Sequence, residues 1–172
     1  MNFADIKRVD VANGPGIRVS LFVSGCTHRC EGCFNEEAWD FNYGAPFGQE
    51  QVDEILSLMD KSYIRGFSLL GGEPFDPANQ QTVLELVRTV RERFPEKDVW
   101  CYTGYLFEEL AAGRVGSCSR ELLEQLDVLV DGPFVLEQKD LSIRFRGSRN
   151  QRIIQVPESL KKNEIVPWDE AQ

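Results

Sequence analysis

Apolar and polar positions alternate most clearly in Ile17-Arg18-Val19-Ser20-Leu21-Phe22-Val23, which follows a polar start and is rich in β-branched and aromatic residues, so a strand is predicted there. It delivers the chain straight into a loop of cysteines. Val52, Ile55, Leu56 and Met59 fall at i, i+3, i+4 and i+7, the spacing of an amphipathic helix over residues 49–60, and Gly66-Phe67-Ser68-Leu69-Leu70 then reads as a buried strand. Asp76-Pro77 offers an N-cap and a proline at the first helical position. Val83, Val87, Val90 and Phe94 recur on one face of the helix this starts, and Pro95 stops it. Val99-Trp100-Cys101-Tyr102 predicts a third strand, followed by helical segments near 105–112 and 119–126, the latter capped by Ser119. Asp127-Val128-Leu129-Val130 predicts a fourth strand, and Arg152-Ile153-Ile154-Gln155-Val156 a last extended stretch before a polar tail from about 157 to 172.

Strands that alternate with helices imply an α/β fold with a mostly parallel sheet and with function gathered at the carboxyl ends of its strands. The cysteine loop, Gly71-Gly72-Glu73, Thr103-Gly104 and Asp131-Gly132 each follow a strand directly. With no internal repeat, low-complexity tract or linker, residues 1–172 read as one domain, long enough to enclose a core without disulfides.

Charge narrows the partners. Nineteen Lys and Arg against 28 Asp and Glu give a formal net charge of −9, which opposes general binding to nucleic acid or to an anionic membrane. No apolar run approaches the roughly 18 residues of a membrane span, and the N-terminal residues show no signal-peptide pattern, so a cytoplasmic protein is expected. Five cysteines, three of them crowded together, fit a reducing compartment and a metal better than a disulfide framework.

Those three, Cys26, Cys30 and Cys33, form C-x3-C-x2-C, three thiolates where a cubane iron–sulfur cluster has four irons. A cluster held this way keeps one iron open for chemistry. The competing reading is a zinc site of Cys3His type using His28, but structural zinc sites usually draw ligands as two separated pairs. Gly71-Gly72-Glu73-Pro74 ends a hydrophobic strand; consecutive glycines let a ligand approach the backbone, and Glu73 can accept from an ammonium group, although a simple turn explains the glycines equally well. Cys101 and Cys118 read as small apolar residues, and His28 as a solvated loop residue.

Taken together, C-x3-C-x2-C followed by an aromatic residue and then by Gly-Gly-Glu-Pro resembles the radical S-adenosylmethionine superfamily. Asn13-Gly14-Pro15-Gly16-Ile17-Arg18 is similar to a segment shared by activating enzymes of glycyl-radical proteins. Trp39, Tyr102-Thr103-Gly104-Tyr105, Leu129 to Phe134 and Arg146 to Arg152 resemble the branch that serves the anaerobic ribonucleoside-triphosphate reductase.

The resemblance implies an oxidoreductase with a [4Fe-4S] cluster on Cys26, Cys30 and Cys33. S-adenosyl-L-methionine would lie against Gly32, Cys33, Phe34, Gly71, Gly72 and Glu73, with Thr103 and Asp131 as further contacts. Reductive cleavage would give a 5′-deoxyadenosyl radical that abstracts hydrogen from a glycine of the reductase's catalytic subunit, with a flavodoxin-like protein as electron donor. A closed eight-fold barrel takes about 250 residues, so an incomplete, laterally open (β/α) barrel of roughly five or six mostly parallel strands is expected.

Activation of another glycyl-radical enzyme of formate acetyltransferase type, a small-molecule radical reaction, or a non-catalytic electron carrier are the alternatives. Several segments keep two readings. Gly14-Pro15-Gly16 is either a turn or a functional surface. Asp131 contacts ribose hydroxyls or shapes a turn. Arg144, Arg146, Arg149 and Arg152 are either a solvated face or a contact for the cofactor carboxylate or an acidic partner.

Overall fold

A computed structural model describes residues 1–169. Its centre is a seven-stranded sheet of order β3-β1-β2-β4-β5-β6-β7 that does not close on itself. β2 (Ile17–Val23), β4 (Ile64–Gly71), β5 (Asp98–Tyr102) and β6 (Val128–Asp131) run parallel in the middle. Antiparallel strands finish both sides, β1 (Asn2–Asp10) and the two-residue β3 (Ala45–Pro46) on one, β7 (Arg152–Gln155) on the other. Seven strands therefore replace the expected five or six, and only the central four are parallel.

The additions have a physical cause. β1 looked like a polar start because it carries Asp5, Lys7, Arg8 and Asp10, yet it pairs with β2 in the register Ile6↔Leu21 and sets Phe3 and Ile6 against the core. A strand near a sheet edge can keep its other face in water, which hides the alternation.

Helices α1 (Gln49–Met59), α2 (Gln80–Arg93), α3 (Phe107–Ala111) and α4 (Ser119–Glu124) lie between the strands, and α5 (Val156–Lys162) follows β7. α2 begins later than Asp76-Pro77 promised. The Asp76 carbonyl accepts from the Asn79 and Gln80 N–H groups and its carboxylate from that of Ala78, so these residues make a turn that precedes the helix. α4 is capped by Cys118, with Ser119 already helical. The polar stretch from Pro157 opens inside α5, and the chain then returns along β7, where Gln155 N–H donates to the Val166 carbonyl and Trp168 N–H to that of Ile153.

Alternation along the strands gives the sheet two unlike faces. Val19, Leu21, Val23, Phe67, Leu69, Val99, Cys101 and Leu129 turn to the helices, where they meet Ile55, Met59, Val83, Val87, Val90 and Leu122 in a fully buried core. Each such side chain stabilises the fold by about 1.5–3 kcal/mol relative to exposure. The opposite face is polar and aromatic. Arg18, completely buried there, donates from Nε to Ser68 Oγ (2.7 Å), from Nη1 to the Pro15 carbonyl (3.1 Å) and from Nη2 to Asp98 Oδ1 (2.5 Å), with its guanidinium over the Trp100 ring. Gly14, at φ +130°, wraps this side chain so closely that a Cβ there would lie 2.7 Å from Arg18 Nε. The Gly14-Pro15-Gly16 segment is thus a turn built around a buried guanidinium. Ser68 in turn donates to the Asn13 carbonyl and fixes the loop above the polar face.

Candidate cluster site and its cavity

β2 releases the chain at Val23, and the loop that follows curls because Gly25 (φ +101°), Arg29 (φ +50°) and Gly32 (φ +76°) occupy the left-handed region. Gly25 N–H donates to the Ala38 carbonyl (2.7 Å), Cys26 N–H to that of Trp39 (3.2 Å) and Cys33 N–H to that of Cys30 (3.1 Å). Cys26, Cys30 and Cys33 are free, half-buried and line one cavity of about 460 Å³ on the polar face of the sheet. Phe34, Gly71, Gly72, Glu73 and Thr103 line it too. Gly32 backs onto its wall, where a Cβ would come within 2.8 Å of Leu136. Phe34 is exposed at the rim, with its ring 5.1 Å from that of Phe134 and Lys139 above it.

Burial pushes the Cys26 thiol up to about 11, against the backbone N–H groups of His28 and Arg29 that point at its sulfur, and the charge of Glu73 adds to the rise. Burial raises Cys30 as well, opposed by the Phe134 backbone N–H. Buried thiolates beside a carboxylate need cationic charge, and bound iron supplies it. Among the described residues no three His, Cys, Asp or Glu side chains converge as ligands of a single metal ion. His28 is also turned elsewhere: its Nε2 meets Glu73 Oε2 at 3.0 Å and its ring packs on Tyr105. That hydrogen bond raises the His28 pKa against the opposing effect of burial. Three separated sulfurs around a roomy cavity suit a cluster better than a Cys3His zinc ion.

The Gly-Gly-Glu segment is joined to the cysteine loop. Gly72 N–H donates to the Val23 carbonyl (2.7 Å) and Glu73 N–H to that of Gly25 (2.8 Å). A Cβ on Gly72 would lie 2.6 Å from the Gly25 carbonyl oxygen and 2.8 Å from that of Ala38. Gly71 adopts φ +106°, a conformation that favours glycine. Glu73, 1% exposed, takes four donors: Phe75 N–H (2.9 Å) and Thr103 Oγ1 (2.7 Å) on Oε1, Gly104 N–H (2.8 Å) and His28 Nε2 on Oε2. A carboxylate offers about four lone-pair sites, so this one is filled by its own protein. Thr103 reaches the site through Glu73.

Asp131 stands apart. Its Oδ1 accepts from Arg152 Nε (3.0 Å), and its Oδ2 accepts from Arg152 Nη2 (2.5 Å) and from Phe107 N–H (2.8 Å), so the carboxylate anchors α3 and β7 outside the cavity. Of the two readings kept for Asp131, these bonds accord with the structural one. Of the four arginines expected to act as a patch, Arg152 also pairs with Glu108, Arg149 lies 3.9 Å from Asp140 and Arg144 stacks on Phe145, while Arg146 alone lines the cavity. Tyr102 lines it as well, and sequence reasoning gave it no role of its own. The usable signal was strand alternation, which sets residues 100 and 102 opposite the core residue Cys101.

An open α/β sheet that hangs a three-cysteine loop over a cavity defines a protein built to hold one iron–sulfur cluster. Residues 12–154 match the family described as the 4Fe-4S single cluster domain, and the chain belongs to that family, in its branch of anaerobic ribonucleoside-triphosphate reductase-activating proteins. A relative of that name from Vibrio cholerae is 44% identical over 155 residues, which cover 89% of this chain and 97% of the relative. The protein so named from Enterobacteria phage T4 is 43% identical, covering 89% of this chain and 93% of its own length. The one from Escherichia coli K12 is 42% identical, with 88% and 96% covered.

Proposed function

We propose that Cys26, Cys30 and Cys33 hold a [4Fe-4S] cluster with one iron free of protein ligands, that S-adenosyl-L-methionine fills the adjoining cavity, and that the protein activates an anaerobic ribonucleoside-triphosphate reductase by creating a glycyl radical on its catalytic subunit. One observation carries this reading: three free cysteines share a cavity with a strand-end Gly-Gly-Glu segment, in a chain 42–44% identical to proteins named for that activation. When bound and reduced, the cluster supplies the electron that splits the sulfonium cofactor into methionine and a 5′-deoxyadenosyl radical, the agent that takes a hydrogen atom from a glycine Cα.

The chain's own residues prepare that event. Backbone N–H groups of His28, Arg29 and Phe134 aim at the sulfurs and favour the thiolate forms. Gly71 and Gly72 let the end of β4 pack directly on the backbone of β2 and the cysteine loop, which brings both to the cavity wall beside the cysteines. Glu73 leaves its negative charge at the cavity wall, favourable to an ammonium group, while its donors lock Thr103, Gly104 and the cysteine loop together. Cys33 and Phe34 line the side proposed for the adenosyl part, with Gly32 behind them against Leu136 and Phe134.

The unclosed sheet, with its four parallel central strands, fits a laterally open (β/α) barrel of radical S-adenosylmethionine type in one domain spanning residues 1–172. Such an opening admits a polypeptide segment. The described residues contain no helix long and apolar enough to cross a membrane. A cytoplasmic setting and a flavodoxin-like electron donor belong to the same proposal.

Anaerobic reconstitution with iron and sulfide, reduction in the presence of S-adenosylmethionine, and assay for 5′-deoxyadenosine test the reading. With the reductase added, a glycyl-radical electron paramagnetic signal is expected. Cys26→Ala, Cys30→Ala and Cys33→Ala each abolish both signals, whereas Cys101→Ala, in the helix-side core, and Cys118→Ala, outside the cavity, retain them. A loaded cluster that yields no 5′-deoxyadenosine sinks the proposal.

A further inference from the structure

The indole nitrogen of Trp39, Nε1, is buried and has no hydrogen-bond partner, although its residue lines the cavity that holds Cys26, Cys30 and Cys33. Folded proteins keep few such atoms, so this one points to a group that completes its bonding. An indole N–H donates and cannot accept.

Three contacts place the indole at the cluster end of the cavity. The Trp39 carbonyl accepts from Cys26 N–H at 3.2 Å, and the carbonyl of Ala38 just before it accepts from Gly25 N–H at 2.7 Å. The Arg29 guanidinium, from between Cys26 and Cys30, lies 5.5 Å over the indole ring. Trp39 also ends the short 3-10 helix Glu36–Trp39 that follows Cys33. The ring is therefore bracketed by both ends of the cysteine segment.

The acceptors on the wall around it are already engaged. Glu73 takes four donors of its own. Backbone N–H groups of His28 and Arg29 point at the Cys26 sulfur, that of Phe134 at Cys30, and that of Asn35 at Cys33 (3.4 Å). The sulfides of a bound cluster bring further acceptors to this end of the cavity. Hydrogen bonds to cluster sulfurs are one of the levers that set the reduction potential. Reduction adds negative charge to the sulfurs, so a donor bond strengthens in the reduced form and favours it.

We infer that the Trp39 indole N–H donates to a sulfide of the cluster and holds its reduction potential up. Trp39 thus tunes electron entry from outside the three-cysteine motif. This rests on the cluster reading proposed above and does not depend on what fills the rest of the cavity.

Two measurements on cluster-loaded protein test it, both without S-adenosylmethionine. Trp39→Phe keeps a ring beneath Arg29 and loses the donor, so potentiometric titration should give a lower midpoint. The expected change is about tenfold in the ratio of reduced to oxidised cluster at a fixed applied potential, about 59 mV for a one-electron couple. In the second measurement, reduced wild-type protein carries a heavy nitrogen isotope in its indole rings. Pulsed electron paramagnetic resonance should then show a nitrogen coupling to the cluster spin, and Trp39→Phe should lose it. Of the three tryptophans only Trp39 lines the cavity, so the coupling identifies it. An unchanged midpoint in Trp39→Phe, or no indole coupling in wild type, overturns the assignment. If Trp39→Phe does not load a cluster, the labelled wild-type protein decides alone. Wild-type protein that binds no cluster would instead refute the cluster reading underneath, and this assignment with it.

Discussion

Glu73 is the residue on which the site's geometry converges, because its two oxygens hold a backbone turn, a threonine, a glycine and a histidine drawn from separate parts of the chain. Glu73→Gln keeps the shape but turns an amide NH2 toward groups that donate. A loss of about 1–3 kcal/mol is expected in denaturant unfolding of the apo-protein, together with lower iron content after reconstitution. Unchanged stability would show that the four contacts do not act as a unit. Asp10 plays a similar part at the end of β1. Burial pushes its carboxyl up, but hydrogen bonds from Ser20, Asn13 and the Ala12 backbone outweigh this and hold it below its usual value of 3.8. Its contribution to stability is therefore complete above that value and fades as pH falls through the lower folded-state value. The stability gap between wild type and Asp10→Asn should be constant at neutral pH and narrow below about pH 4, as read from denaturant midpoints. The cysteines were legible in the sequence because their spacing is local. The donors around Glu73 were not, since Thr103 and His28 reach it only through the fold. The same holds for Arg146, chemically identical to three neighbouring arginines and distinguished from them only by its place on the cavity wall.

At the scale of elements, strand period and helix spacing revealed β2, α1, β4, α2, β5 and β6, because each buries one continuous face. β1 and α5 escaped: one carries charge on its open face, and the other has a proline in its first turn and a polar stretch after it. The junction of β4 with the cysteine loop is the contact on which cluster loading should depend most. Gly72→Ala places a methyl group against the Gly25 and Ala38 carbonyls, and the loop must move to admit it. The expected result is a protein that folds, by circular dichroism, but whose visible iron–sulfur absorbance after reconstitution falls well below wild type. Full loading would mean that the loop adjusts freely.

Considered whole, the molecule covers the polar face of its sheet with Phe145 and Trp168. Trp168 packs edge-to-face on Trp100 at 5.0 Å, and Phe145, held at φ +62°, lies 5.4 Å from Trp100 and 6.1 Å from Trp168. A non-glycine residue in that conformation is strained by about 1–3 kcal/mol, so its neighbours must hold it. Phe145 adjoins Arg146 and is itself part of the cavity wall. Trp168→Ala should cost about 1–3 kcal/mol in chemical unfolding, less than the 3–5 typical of a fully buried tryptophan because this one is half-buried. It should also speed proteolysis within the 139–147 loop. Unaltered cleavage there would separate the C-terminal segment from the cavity wall.

The cavity has a consequence for the order of events during synthesis. Cys26, Cys30 and Cys33 leave the ribosome early, whereas Phe134, Leu136 and Gly147, which pack against Phe34 and Gly32, are made more than a hundred residues later. A cluster delivered to the nascent loop would stand in open solvent, exposed to oxidants, for most of translation. In the proposed arrangement the cover over the cluster exists only after residue 147 has been made, so the three thiols must stay reduced until then.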